Sequence, residues 1–135
     1  MLSDSVNPSA AILVVDDDEF VLEFVRLLLV RGGYAVLTAQ NGEEAWNLIL
    51  ANQQEIRLLL TDIVMPDSFD GFVLADRVRK HQPDLPIIFM SGASLHEYSS
   101  GDLLTWEPML LRKPFTPDRL LNFVREHLEA ANRST

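Results

Sequence analysis

The sequence predicts an α/β domain built on a doubly wound, five-stranded parallel sheet. Three observations carry that expectation. Five short apolar runs alternate with amphipathic segments along the chain. The runs are continuously apolar, as strands covered on both faces are. Each is separated from the next by a segment of helical length, which is the crossover that parallel neighbours require. The 135 residues suit one domain with a single core, and a hydrophobic content of 47% is a folding composition.

Residues 1–10, MLSDSVNPSA, are polar and carry Pro8, so a flexible lead is expected before a domain spanning 11–130. AILVV (11–15) is of strand length and rich in β-branched residues. FVLEFVRLLLVRGG then places Val21, Phe24, Val25 and Leu28 at helical spacing, with Gly32 and Gly33 as a stop. YAVLTA (34–39) is the second strand, and NGEEAWNLILANQ (41–53) sets Ala45, Trp46, Ile49 and Leu50 on one helical stripe. RLLLTD (57–62) is the third strand. DGFVLADRVRKHQ (70–82) repeats through Leu74 and Val78 and ends before Pro83. PIIFMSG (86–92) and MLLRKPF (109–115) are the fourth and fifth strands. The last helix opens with Thr116 as N-cap, Pro117 at the first helical position and Asp118 in the first turn. Residues 131–135 are expected to fray. Residues 93–107 have few apolar positions and an internal Ser-Ser-Gly, so a helix there should be short or poorly ordered.

Composition excludes several function classes. Lys plus Arg number 11 against 20 Asp plus Glu, a formal charge of -9, which disfavours nucleic-acid binding through the overall field. Without cysteine there are neither disulfides nor thiolate metal sites. No apolar run approaches the roughly 18 residues that span a membrane, and the N-terminus does not resemble a secretion signal. A cytoplasmic domain with neither nucleic-acid nor membrane partner is the expectation.

In an open parallel sheet, ligands bind at the carboxyl ends of the strands. Strand one ends in Asp16 and Asp17, strand three in Asp62, strand four in Ser91 and strand five in Lys113. Strand two ends in the quieter Thr38, Ala39 and Gln40. Three carboxylates suit a hard cation such as Mg²⁺, and a lysine and a hydroxyl beside them suit a phosphoryl group. Asp18, the third acid of VVDDDEF, sits where the first helix begins and reads as its N-cap.

ILVVDDD, LLLTDIVMPDSFDG, IIFMSGA and LLRKPF, arriving in this order over residues 11–130, resemble the signature segments of response-regulator receiver domains, the CheY-like family. The resemblance implies a flavodoxin-like sheet of order 2-1-3-4-5 flanked by five helices. It implies that Asp62 is the phosphoacceptor, charged by a sensor histidine kinase or a histidine phosphotransfer domain. Asp17 matches a direct Mg²⁺ ligand, Asp16 a ligand through water, and Val64 the ligand that acts through its backbone carbonyl; Mn²⁺ is able to substitute. Ser91 matches the hydroxyl switch residue and Lys113 the lysine that pairs with the phosphoryl group, ahead of a Lys–Pro bond that is commonly cis. Such a domain is a signalling module that catalyses only its own phosphorylation and dephosphorylation. Taken singly, each residue has an ordinary reading: a strand-end turn, an exposed acidic turn, a backbone-bonded serine, a solvated lysine.

Two departures from the family pattern stand out. At the switch position, where receivers often carry Tyr or Phe, this chain has Leu110, so activation is expected to be reported through residues 93–107, with a downstream protein contact on the 93–130 face. The loop MPDSFDG is one residue longer than in many receivers, which resembles receivers attached to hybrid sensor kinases and implies a relay role. Two competing functions differ in residues. An aspartate-nucleophile phosphatase of the haloacid dehalogenase type needs a second Asp two residues after the first, where Val64 stands; a degenerate, binding-only receiver would have lost the acidic pair, Asp62 or Lys113, and all are present.

Overall fold

A computed structural model describes residues 11–65, 69–92 and 107–133. Five parallel strands form one sheet: β1 (Ala11–Val15), β2 (Ala35–Ala39), β3 (Ile56–Asp62), β4 (Ile87–Ser91) and β5 (Leu110–Arg112). Four helices connect or flank them among the described residues: α1 (Glu19–Arg31), α2 (Gly42–Ala51), α3 (Gly71–His81) and α4 (Pro117–Arg133). A 3-10 turn, Glu107–Met109, leads into β5. Strand order is β2-β1-β3-β4-β5, the flavodoxin-like doubly wound topology. The fifth expected helix, and the short or poorly ordered segment expected at 93–107, fall almost entirely outside the described residues; so do 1–10 and 134–135.

The uninterrupted apolar strands divide their side chains between two faces, as the period-two pleat demands. Leu13 and Val15 of β1 join Leu59, Ile63 and Phe89 in a core layer with Ala45 and Ile49 of α2 and Leu74 and Val78 of α3. Ile12 and Val14 join Leu58, Leu60 and Ile88 in the other layer, with Leu22, Val25 and Leu29 of α1 and Leu120 and Val124 of α4. One strand therefore feeds two cores, and both need helices over them.

Each helix starts where a side chain satisfies its open amides. Asp18 Oδ1 accepts from the Phe20 and Val21 amides, Asn41 Oδ1 from Glu44, Asp70 Oδ1 from Val73 and Thr116 Oγ1 from Arg119. The buried face of α1 differs from the sequence expectation. Leu22, Val25 and Leu29 are buried, whereas Phe24 is 48% exposed. Apolar residues occupy both sides of α1, so periodicity alone leaves its rotation open; the Asp18 cap and the sheet fix it. Leu50 of α2 is likewise exposed, with Ala45 and Ile49 inward. β5 ends at Arg112, short of the apolar run 109–115, and the Lys113–Pro114 bond beyond it is cis. No helix among the described residues is long and apolar enough to cross a membrane.

Candidate functional site

Strand order reverses between β1 and β3, and the polar strand ends gather at that point. Backbone bonds carry the alignment just past the strands: the Asp16 amide donates to the Ala39 carbonyl at 3.1 Å, Ile63 to Met90 at 3.2 Å, and Lys113 to Ser91 at 2.7 Å. Asp16, Asp62, Ser91 and Lys113 are thereby brought to one edge, as the strand-end argument expects.

Carboxylate oxygens of Asp16, Asp17 and Asp62 all lie within 4.8 Å of one another. Asp16 is 1% exposed and Asp62 8%, while Asp17 faces solvent. Three hard oxygen donors at this spacing, one of them open to water, fit a divalent cation that keeps part of its hydration. Asp18 is not in the cluster; its carboxylate is spent on the α1 cap.

Lys113 Nζ donates to Asp16 Oδ2 at 3.0 Å and to Asp62 Oδ1 at 3.4 Å. The Asp18 amide donates to Asp16 Oδ1 at 2.9 Å, so both Asp16 oxygens are held. Burial pushes the Asp62 carboxyl up to about 6, helped by the Asp16 and Asp17 charges and opposed by Lys113. For Lys113, burial works against the charge, but Asp62 and Asp16 together hold the ammonium above its ordinary value. The site thus sets a poorly solvated carboxylate beside a charged lysine, an arrangement able to accommodate an anionic group.

Ser91 is 1% exposed, and its Oγ has no hydrogen-bond partner among the described residues. A buried hydroxyl is ordinarily paired, so an open one at the end of β4 has donor capacity to spare. Val64 is exposed beside Asp62, and Leu110 is buried at the start of β5. Two clefts, of about 320 and 700 Å³, open instead at the amino-terminal edge of the sheet around Pro83 and Pro86. They share no residue with the acidic cluster.

Sequence reasoning misses three contacts here. Lys113 is closer to Asp16 than to Asp62, a pairing across 97 positions that no local pattern announces. Gly71 donates its amide to the Ile63 carbonyl at 2.8 Å and packs against the backbone of Asp62. Phe69 lies on Gly42 with the Arg77 guanidinium 4.5 Å from its ring centre. The Asp-Gly pair at 70–71, where a helix begins, is the one signal that hints at a close approach.

The family model described as "Response regulator receiver domain" matches residues 12–125. The response regulator receiver protein CpdR of Brucella abortus is 34% identical over 120 residues, covering 89% of this chain and 98% of CpdR. The 3',5'-cyclic-nucleotide phosphodiesterase regA of Dictyostelium discoideum is 35% identical over 122 residues, 87% of this chain but 15% of regA. The crystal structure of a response regulator receiver domain protein from Clostridium thermocellum superposes with a TM-score of 0.82 at 26% identity, covering 93% of this chain and 99% of that one. The chain spans less than half the length of the first three curated relatives it matches.

Proposed function

Because the chain belongs to the response regulator receiver family of two-component signalling, we propose that it is a switch set by phosphorylation of Asp62. The observation that carries this is the convergence of the Asp62 carboxylate with Asp16 and Asp17 within 4.8 Å and with Lys113 at 3.4 Å. Mg²⁺ would be held by Asp17 and Asp62 directly, by Asp16 through water and by the Val64 carbonyl. When bound, it supplies positive charge against the oxygens of the transferring phosphoryl group.

The chain's own groups do the rest. An Asp62 oxygen attacks the phosphorus of a phosphohistidine on a sensor kinase or phosphotransfer domain. The P–O bond forms, the P–N bond breaks, and the released imidazole takes its proton from solvent. Lys113 faces the charge gathered on the new acyl phosphate, and the free Ser91 hydroxyl donates to one of its oxygens. Drawing Ser91 toward the phosphoryl group is the movement that passes the signal to the 93–130 face, where a downstream protein docks. Leu110 offers no ring to turn inward, so segment 93–107 reports the change. Val64 stands where an aspartate phosphatase needs its acid, which favours a stored acyl phosphate over sustained turnover.

The test is incubation with a small-molecule phosphodonor, with and without Mg²⁺, followed by intact mass. Addition of one phosphoryl group, lost on chelation of Mg²⁺ and in Asp62→Asn, is expected. No addition to the wild-type chain leaves a binding-only domain.

A further inference from the structure

Asp62 is the last residue of β3, and the chain must return from it to the start of α3 at Gly71. That return is gripped at two places. At the first, Gly71 is buried under the carboxyl end of β3, its amide bonded to the Ile63 carbonyl at 2.8 Å. A Cβ on residue 71 would stand 2.9 Å from Ile63 Cα and 3.1 Å from the Asp62 carbonyl carbon, and closer still to the Asp62 carbonyl oxygen. These neighbours are backbone and cannot rotate aside.

At the second, the Phe69 ring rests on the backbone of Gly42, the first residue of α2. A Cβ there would fall 2.7 Å from Phe69 Cγ. The Arg77 guanidinium covers Phe69, at 4.5 Å from its ring centre, and reaches Trp46 of α2 at 5.5 Å. A ring in contact with both a bare glycine and a planar cation is held by two neighbours at once. Met65, buried in the same core layer that Phe69 packs against, ties the other end of the segment down.

Metal sites depend on the groups that fix their ligands as well as on the ligands. We infer that Gly71 and the Phe69–Gly42 seat are positioning elements for the cation site: they fix the backbone from Asp62 to Val64, and so preset the carboxylate and carbonyl that a divalent cation takes. This rests on the cation reading of the Asp16, Asp17 and Asp62 cluster. None of these residues touches the metal or the phosphoryl group; each acts through the chain it holds.

The experiment is Mg²⁺ titration by calorimetry on the full chain, beside thermal unfolding of the same samples. Gly71→Ala and Phe69→Ala are each expected to weaken Mg²⁺ binding about tenfold, and Phe69→Tyr, which keeps the ring on Gly42, to restore it. Gly33→Ala is the control: Gly33 has φ 96° beyond the far end of α1, so the substitution lowers stability without touching the site. If the two site variants bind Mg²⁺ like wild type while melting earlier, or if Gly33→Ala weakens binding as much, the inference is overturned. Should Gly71→Ala not fold, Phe69→Ala against Phe69→Tyr decides alone. Failure of the wild-type chain to bind Mg²⁺ overturns the cation reading itself, a result distinct from equal binding by all variants.

Discussion

Lys113 lies 3.0 Å from Asp16 and 3.4 Å from Asp62, so one ammonium bridges two buried carboxylates at the ends of different strands. Like charges just past β1 and at the end of β3 are tolerated side by side because the residue after β5 sets a cation between them. Removing that cation strands Asp16, which is 1% exposed. Lys113→Met is therefore expected to cost about 3 kcal/mol in urea unfolding at pH 7. Asp16→Asn in the same chain should recover most of that loss, because the stranded charge is gone. Additive losses in the double variant would show that the pair is not coupled.

The acid range gives a second test. Asp62 titrates at about 6 when folded against an ordinary 3.8, mainly through burial. The folded state then holds more protons than the unfolded chain between about pH 4 and 6, so this group's contribution to stability falls as pH rises through that window. Below it the penalty vanishes, and above it the full penalty, at most about 3 kcal/mol, persists. Asp62→Asn should unfold at higher denaturant than wild type at pH 7 and lack this fall between pH 4 and 6. A wild-type curve with the same slope as the variant would contradict the raised value.

The neighbouring acids should separate cleanly. Asp17→Ala removes an exposed carboxylate of the cluster and is expected to weaken Mg²⁺ binding about tenfold or more, with little effect on stability. Asp18→Ala removes the α1 cap and should cost about 1 kcal/mol, leaving Mg²⁺ affinity within about twofold. The amide that Asp18 donates to Asp16 survives that substitution. Calorimetry on both variants distinguishes the roles; equal loss of Mg²⁺ binding would merge them.

Ser91 offers the reverse separation. Its buried hydroxyl has no partner among the described residues, so Ser91→Ala should be neutral or stabilising by up to about 1 kcal/mol. Phosphorylation by a small donor should nonetheless slow by about tenfold or more, as one donor to the phosphoryl oxygens is lost. A destabilised variant with an unchanged rate would return Ser91 to an ordinary structural serine.

Much of this architecture is legible in the sequence for a simple reason. In a parallel sheet covered on both faces, strands are bare apolar runs, and polar groups collect where they stop, which marks Asp16, Asp17, Asp62, Ser91 and Lys113 along the chain. The rotation of α1 is not legible, because Phe20, Phe24 and Leu27 on its outer side are as apolar as Leu22, Val25 and Leu29 on its inner side. Nor is the preference of Lys113 for Asp16 legible, since it depends on the lateral order of strands far apart in the chain. The seat of Phe69 on Gly42 joins a loop to the first residue of α2 through the absence of a side chain, and absence leaves no periodic trace.

The central claim is that Asp62 itself carries the phosphoryl group. Borohydride reduction after exposure to a phosphodonor and Mg²⁺ converts an aspartyl phosphate to homoserine, and peptide mapping then reads the position directly. Homoserine at residue 62, absent without Mg²⁺ and absent in Asp62→Asn, is the predicted result. Homoserine at Asp16 or Asp17 in the wild-type chain, or none at any position, would contradict it.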